Sequence, residues 1–358
     1  MSNASRVYVA GVGMITPIGA DAVMTFHSVN TDISRVGATS ILNRSLNPVS
    51  MALVPDGALP EFNEGLVSAH LPDRQQRLLR LASAALSQLA DKLPGNPLPL
   101  YLALPEQLPD APAPLVGNVI EQLVLQSEIE LNQAESMVAP IGRAGGLHAV
   151  RKAHQYFAQP GHDYVLIGGV DTYWDPYLLA KLSAEGRLSG QGNMDGFTPG
   201  EGAAFLLLAS ERVKEQLPEP HIALAMPGCT EEAGHRYSDE PYRGEGMAQA
   251  VTQAFERAES VQAHCVWTSM IYDHFSHKEL AVALTRNSDK LPGNVVMRHP
   301  VDCLGDVGAA IGCALVGMIA VAAPWQPNLR HHLVCCASDL AHRAALRVDI
   351  DGRIQATS

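Results

Sequence analysis

The sequence contains one pattern twice, once in each half of the chain. In the first half, Gly142-Arg-Ala-Gly145 opens a run with helical spacing, and the strand-like segment Tyr164-Val-Leu-Ile-Gly-Gly-Val-Asp171 follows it. In the second half, Gly305-Asp-Val-Gly308 opens an apolar helical run, and His332-Leu-Val-Cys-Cys-Ala-Ser-Asp339 follows. The shared order of glycine-marked start, helix and strand predicts an α/β fold of two similar halves.

Other segments place the remaining elements around this repeat. The apolar residues of 7–13 predict a buried first strand, and the spacing over 74–93 predicts a helix. Residues 44–63 are rich in Pro, Asn and Gly and predict a loop. The charged, proline-bearing segment 211–220 marks the boundary, which gives an N-terminal half of residues 1–215 and a C-terminal half of residues 216–358.

Composition limits the function classes. The 358 residues are 47% hydrophobic and 17% charged, which is typical of a folded chain with a large core. A net charge of −12 argues against a nucleic-acid surface. The longest apolar run, 307–324, is short for a membrane span and predicts a buried helix, and no signal peptide is visible. Six scattered cysteines without metal-ligand spacing indicate free thiols, no metal site and a cytoplasmic protein.

Four motifs carry a resemblance to a known family. They are the opening strand and turn Val7-Tyr-Val-Ala-Gly-Val-Gly-Met-Ile-Thr-Pro-Ile-Gly19, the strand Asp163-Tyr-Val-Leu-Ile-Gly-Gly-Val-Asp171, the segment Asp195-Gly-Phe-Thr-Pro-Gly-Glu-Gly-Ala-Ala204, and the helix start Gly305-Asp-Val-Gly-Ala-Ala-Ile-Gly312. Together they resemble the β-ketoacyl-acyl-carrier-protein synthases, and the match spans most of the chain. The resemblance implies a thiolase-like, five-layer αβαβα fold.

The same resemblance locates the family's catalytic positions, and other residues occupy them. Arg143 stands where the family has its nucleophilic cysteine, and Asp306 stands where it has one histidine. Ser269, or Thr268, falls at the second histidine, and 336–341 lacks the Gly and Phe of the oxyanion loop. No cysteine precedes Cys229, so the missing nucleophile does not depend on the alignment. We therefore expect no condensation reaction, and the sequence assigns no catalytic residue.

Arg143 and Asp306 occupy equivalent positions of the two halves and carry opposite charges. We predict that they approach each other and form an ion pair at the family's active-site position. The alternative is that each side chain meets other partners.

Several other side chains remain candidates for chemistry. Cys303 lies three residues before Asp306 at the mouth of the same predicted helix and is the fallback nucleophile, with Asp306 and either His299 or His274 nearby; a small buried residue is the alternative. His274 or His277 could supply the second family histidine if the chain carries an insertion there.

Two further groups could serve binding. Arg298 and His299 could bind a phosphate of a pantetheine arm. Tyr173, Trp174 and Tyr177 fall where relatives have their dimer interface and acyl pocket. Ordinary packing is the alternative for both groups.

Three functions follow as hypotheses. The first is a partner without condensing activity, similar in kind to the chain-length factors of type II fatty acid or polyketide synthesis, including aryl polyene systems. It would form a homodimer, or a heterodimer with an active β-ketoacyl synthase, and meet an acyl carrier protein. The second is an acyltransferase or thioester-processing enzyme using Cys303 or Ser269. The third is a binding protein for acyl chains or pantetheine. None needs a cofactor beyond the phosphopantetheine arm of the carrier.

Overall fold

The structure is a computed structural model that describes residues 6–43, 46–190, 193–256 and 261–353. Its strands are β1 (Val7–Ile15), β2 (Val36–Leu42), β3 (Pro48–Ala52), β4 (Leu100–Ala103), β5 (Met137–Ala139), β6 (Tyr164–Thr172), β7 (Glu201–Ser210), β8 (His221–Leu224), β9 (Gly228–Glu231), β10 (Cys265–Thr268), β11 (Val296–Arg298), β12 (His331–Ala337) and β13 (His342–Asp351). Its α-helices are α1 (Ala22–Asn30), α2 (Asp73–Leu86), α3 (Val119–Ser127), α4 (Gly145–Phe157), α5 (Pro176–Ala184), α6 (Glu245–Phe255), α7 (His274–Arg286), α8 (Val301–Leu304) and α9 (Ile311–Ala322). Short 3-10 helices lie between them, including Gly142–Ala144 before α4 and Gly308–Ala310 before α9.

The strand order shows the internal repeat directly. The N-terminal strands lie in the order β5-β4-β6-β7-β1, and the C-terminal strands lie in the order β11-β10-β12-β13-β8, with β9 also paired to β13. In each set the first two pairings are parallel and the next two are antiparallel. The two sets join where Val7 and Tyr8 of β1 pair with Leu224 and Ala223 of β8.

Helices form three layers around these two half-sheets. α2 packs on the outer face of the N-terminal half-sheet with α3 beside it, and α6 packs on the C-terminal half-sheet with α7 beside it. α4 and α9 lie between the half-sheets and pack against each other. This contact is close enough that a Cβ on Gly146 would lie 2.9 Å from the backbone nitrogen of Cys313. Small residues at both helix starts thus bring the two halves together, and the predicted five-layer fold is confirmed.

Most predicted elements agree with the structure, and two predictions need comment. Residues 44–63 were predicted as a loop, but this segment contains β3, because Val49, Met51 and Ala52 are buried and β2 supplies the pairing strand. Residues 44–45 of that prediction lie outside the described residues. The boundary at 215 and 216 stays a prediction; it falls in the 3-10 helix Glu211–Gln216.

The apolar run at 307–324 forms the central helix α9, whose residues are almost all buried, as predicted. Among the described helices, none is long and apolar enough to cross a membrane.

Candidate functional site

Arg143 and Asp306 meet at the centre of the molecule, where the two halves join. Arg143 lies in the 3-10 helix that leads into α4, and Asp306 lies between α8 and the 3-10 helix that leads into α9. Because α4 and α9 pack side by side, their N-terminal ends bring both side chains to the same place. Arg143 is 3% exposed and Asp306 is 1% exposed. The predicted ion pair is therefore present, and it is buried.

The Asp306 carboxylate accepts hydrogen bonds at both oxygens. Arg143 Nε lies 3.0 Å from Oδ1 and 3.1 Å from Oδ2, and its Nη2 also donates to Oδ2. The Tyr173 hydroxyl donates to Oδ2 at 2.6 Å, and the Gly308 backbone N–H donates to Oδ1 at 2.9 Å. Two neutral donors thus assist the guanidinium, as a buried carboxylate requires.

Asp339 neutralises the other side of Arg143. Its Oδ1 lies 3.2 Å from Arg143 Nη1 and 2.8 Å from Arg187 Nη2. Arg236 approaches the same oxygen at 3.4 Å and forms a second ion pair with Asp273. Burial alone would raise the pKa of Asp339, but the three guanidinium groups hold that pKa well below its usual range. Burial would lower the pKa of Arg143, and its two carboxylate partners keep that pKa well above normal.

Glu106 extends this cluster toward the loop between β12 and β13. Its carboxylate accepts the backbone N–H groups of Asp339 at 2.7 Å and of Leu340 at 3.0 Å. Burial, together with the charge of Asp339, raises the pKa of Glu106 to about 7. The sequence resemblance predicts that this loop corresponds to the family's oxyanion loop. Its backbone donors are already occupied by a carboxylate of the same chain.

Little room remains beside Arg143. Two cavities that its side chain lines have volumes of about 20 Å³ and about 30 Å³, which is space for a water molecule or two. A wider cleft of about 350 Å³ lies on the far side of Asp306, lined also by Phe197, Tyr272 and Asp302. Its two acidic residues make it a poor site for a phosphate.

Ser269 and Thr268, which the resemblance places at the second family histidine, are both buried polar residues. Ser269 is 2% exposed, and its hydroxyl accepts the Ala337 backbone N–H at 3.1 Å. The neighbouring Thr268 hydroxyl accepts the N–H of Met270 at 3.0 Å. His274 projects from the start of α7 with a highly exposed side chain, which contacts Asp195 at 2.8 Å. Both hydroxyl groups are engaged with backbone, as is typical of a structural role.

Cys303 lies in a different element from the one predicted. It belongs to the short helix α8, which Gly305 separates from the helix start after Asp306, because Gly305 has a φ of +66° and turns the chain. The thiol is buried, and burial with Asp302 nearby raises its pKa above the usual value. The pKa of His299 is lowered by burial. A thiol with a raised pKa is a weak nucleophile at neutral pH, because little of it is thiolate.

The other binding candidates are dispersed. Tyr173 joins the ion-pair cluster, Trp174 is partly buried against a small apolar cluster, and Tyr177 is 76% exposed. Arg298 and His299 each keep one buried nitrogen without a hydrogen-bond partner among the described residues. No group of three or more side chains suited to a metal ion occurs in the described ranges.

Sequence reasoning found the Arg143–Asp306 pair and missed Glu106, Arg187, Arg236 and Asp339 as members of the cluster. The repeat did mark Asp339, since it ends the second strand as Asp171 ends the first. Glu106, Arg187 and Arg236 come from irregular segments, where the sequence carries no periodic signal.

Comparison with known proteins adds structural relatives. No protein-family model matches the sequence, and no curated protein matches it. Among solved structures, the ishigamide ketosynthase/chain length factor is similar with a TM-score of 0.76 and 16% identity, covering 98% of this chain and 100% of that chain. The ketosynthase from module 6 of the bacillaene synthase of Bacillus subtilis 168 gives a TM-score of 0.77 at 14% identity, covering 98% and 73%.

A third relative is the complex of a ketosynthase with its chain length factor from Xenorhabdus doucetiae. It gives a TM-score of 0.72 at 14% identity and covers 97% of this chain and 98% of that chain. At these identities the likeness is one of fold. The chain therefore has the thiolase-like fold of the ketosynthases and chain length factors.

Proposed function

We propose that this chain is a partner subunit without condensing activity, which pairs with an active β-ketoacyl synthase as a chain length factor does. The observation that carries the proposal is the buried Arg143–Asp306 ion pair, formed by the two residues that the sequence resemblance places at the family's cysteine and histidine. A condensing site needs a thiolate and groups that stabilise a developing enolate. Asp306 would repel that negative charge.

The packing around Arg143 supports the same conclusion. The two cavities that Arg143 lines, of about 20 Å³ and about 30 Å³, are too small for an acyl chain, and the cleft of about 350 Å³ is lined by Asp306 but not by Arg143. The carrier's phosphopantetheine arm would then enter the active site of the partner rather than this one. A cytoplasmic location is part of the proposal and fits the free thiols.

The partner would meet the chain at the edge strand β5. Met137 is 49% exposed and Val138 is 46% exposed, although both lie in a strand. β5 pairs with β4 on one side and ends the sheet on the other. An exposed apolar edge is a surface that a second chain covers.

Covalent labelling tests the absence of a nucleophile. The purified chain is incubated with an acyl-pantetheine thioester and, separately, with iodoacetamide, and adducts are located by intact-mass and peptide mass spectrometry. We expect no acyl adduct and slow alkylation of the native chain, since five of the six thiols are buried and burial raises their pKa values. The same chain in urea is the control, where every thiol should react.

A rapid stoichiometric adduct would contradict the proposal. Acylation of Cys303 would favour the thioester-processing alternative. Purification of the chain from its own cells tests the partner directly. A co-purifying thiolase-fold chain that does carry the cysteine and both histidines supports the proposal, and its reproducible absence opposes it.

A further inference from the structure

The surface around β5 carries a positive charge that limits what can bind there. This surface, called the edge surface below, is formed by Met137 and Val138 of β5 and by His148, Arg151, Lys152 and Gln155 of α4. These residues line one cavity of about 370 Å³. The four α4 residues follow the i, i+3, i+4, i+7 spacing of one helix face. The opposite face of α4 is buried in the core.

The two cations of this face lack acidic partners. Arg151 and Lys152 are exposed, and neither forms a salt bridge with a carboxylate among the described residues. Burial raises the pKa of the Cys229 thiol to about 11, and the nearby charge of Arg151 opposes that rise. Burial is the main cause that lowers the pKa of His148 to about 4, and His342, Arg151 and Lys152 lower it further, so His148 is neutral at pH 7.

One carboxylate, that of Glu135, lies near enough to influence Tyr101, which lines the same cavity. Burial is the main cause of the raised pKa of Tyr101, and Tyr156 and then Glu135 add to it. The Glu135 carboxylate is held by the side chain of Asn132 at 2.9 Å. The edge surface therefore keeps an excess of positive charge beside its exposed apolar strand, in a chain whose net charge is −12.

The positive charge of the edge surface opposes pairing of two identical chains. When two identical chains pair through one edge strand about a twofold axis, each element beside that axis meets its own copy. Here the cationic face of α4 would meet a second cationic face. Like charges brought together across an interface oppose association, whereas a partner with opposite charge is favoured.

We infer that the edge surface selects a different chain, one that presents a strand edge flanked by a carboxylate-bearing helix, over a second copy of this chain. The inference rests on the proposed function, since it names the chemistry of the partner in that function. Met137 and Val138 bury apolar surface when a partner binds. Arg151 and Lys152 determine which partner is favoured, because they attract carboxylates and repel other cations.

Charge reversal in the chain itself provides the test, because it creates a complementary partner of known structure. The double variant Arg151→Glu/Lys152→Glu is made on exposed helix positions, where glutamate is also a good helix former. Association is measured by analytical ultracentrifugation for wild type alone, for the variant alone, and for the two mixed. The matched control is Lys278→Glu/Arg286→Glu, which changes the same charge on exposed positions of α7 in the outer layer.

We expect the mixture of wild type with the reversed variant to form a heterodimer with a dissociation constant about tenfold or more below that of wild-type self-association at low salt. Raising the ionic strength should weaken the mixed pair and strengthen wild-type self-association, because salt screens both attraction and repulsion. The α7 control mixed with wild type should match wild type alone.

Three results would overturn the inference: wild-type self-association as tight as the mixed pair, no association of the mixed pair, or an equal gain with the α7 control. Each is distinct from failure of the proposed function, which appears as acylation of the chain. A tight wild-type homodimer without acylation would reject the charge argument and leave the non-condensing role in place.

Discussion

Neutralising Arg143 gives the sharpest test of the buried cluster. The variant Arg143→Met keeps the unbranched stem of the side chain as far as the position of Nε and removes the charged guanidinium. At 3.0 Å, in an effective dielectric of about 20, the attraction between Arg143 and Asp306 amounts to about 5.5 kcal/mol before desolvation is considered. Removing one member of a buried pair typically lowers the free energy of unfolding by about 3–5 kcal/mol, because the other charge stays buried. We expect a loss in that range.

The second change tests whether the loss comes from the pair. Asp306→Asn removes the remaining charge and keeps an oxygen that can accept the N–H of Gly308. The double variant Arg143→Met/Asp306→Asn should lose less than the two single variants added together, with a coupling free energy of about 2 kcal/mol or more. Asp339 limits how much stability the double variant regains, because Asp339 also loses its ion pair with Arg143.

An exposed pair in the same chain is the matched control. Arg80 Nη1 lies 2.8 Å from Asp56 Oδ1, a geometry as close as that of the buried pair, but Asp56 is 73% exposed. Arg80→Met with Asp56→Asn should show a coupling of about 0–1 kcal/mol.

Urea unfolding at one pH, followed by tryptophan fluorescence and by circular dichroism, measures all six variants. Coincident transitions in both signals justify the free energies. Additive losses at Arg143 and Asp306, within about 0.5 kcal/mol, would refute the argument that burial of this pair sets its energy.

Two further predictions concern single residues. Glu106→Gln should flatten the dependence of stability on pH: the folded-state pKa of Glu106 is about 7, so its contribution is complete below its unfolded pKa of about 4.5 and is lost as pH rises through 7. Urea unfolding at several pH values compares the variant with wild type, and equal slopes would contradict the assignment. Gly308→Ala should lower the free energy of unfolding by about 2–5 kcal/mol, since Gly308 has a φ of +51° and an added Cβ would lie 2.0 Å from Asp171 Oδ2. A loss below about 1 kcal/mol would show that the neighbouring carboxylate moves aside.

The central elements were predictable because local sequence specifies them. β6 and β12 are continuous apolar runs, and α9 is apolar on every side, so burial on both faces is visible in the sequence. β3 was not predictable, because its five residues depend on pairing with β2 rather than on their own pattern.

The contacts of the candidate site also fall into some that the sequence predicts and some that it does not. Arg143 and Asp306 were predicted to meet because they hold equivalent positions in a repeated unit, and that equivalence is a statement about three-dimensional structure. Glu106, by contrast, contacts Asp339 across 233 residues of sequence. Such contacts between irregular segments depend on the whole fold and leave no spacing that a sequence would reveal.

The mutual neutralisation of Arg143 and Asp306 has a consequence for how the chain could change over evolution. Substituting Arg143→Cys alone would place a thiol beside a buried carboxylate, and that negative charge would raise the thiol pKa and suppress the thiolate. It would also leave Asp306 without its cation, at a cost comparable to a large part of the stability of an ordinary domain. Each first step toward a nucleophile therefore loses stability and gains no reactivity. The ion pair acts as a barrier between this chain and an active condensing enzyme, and only coordinated changes at both positions would cross it.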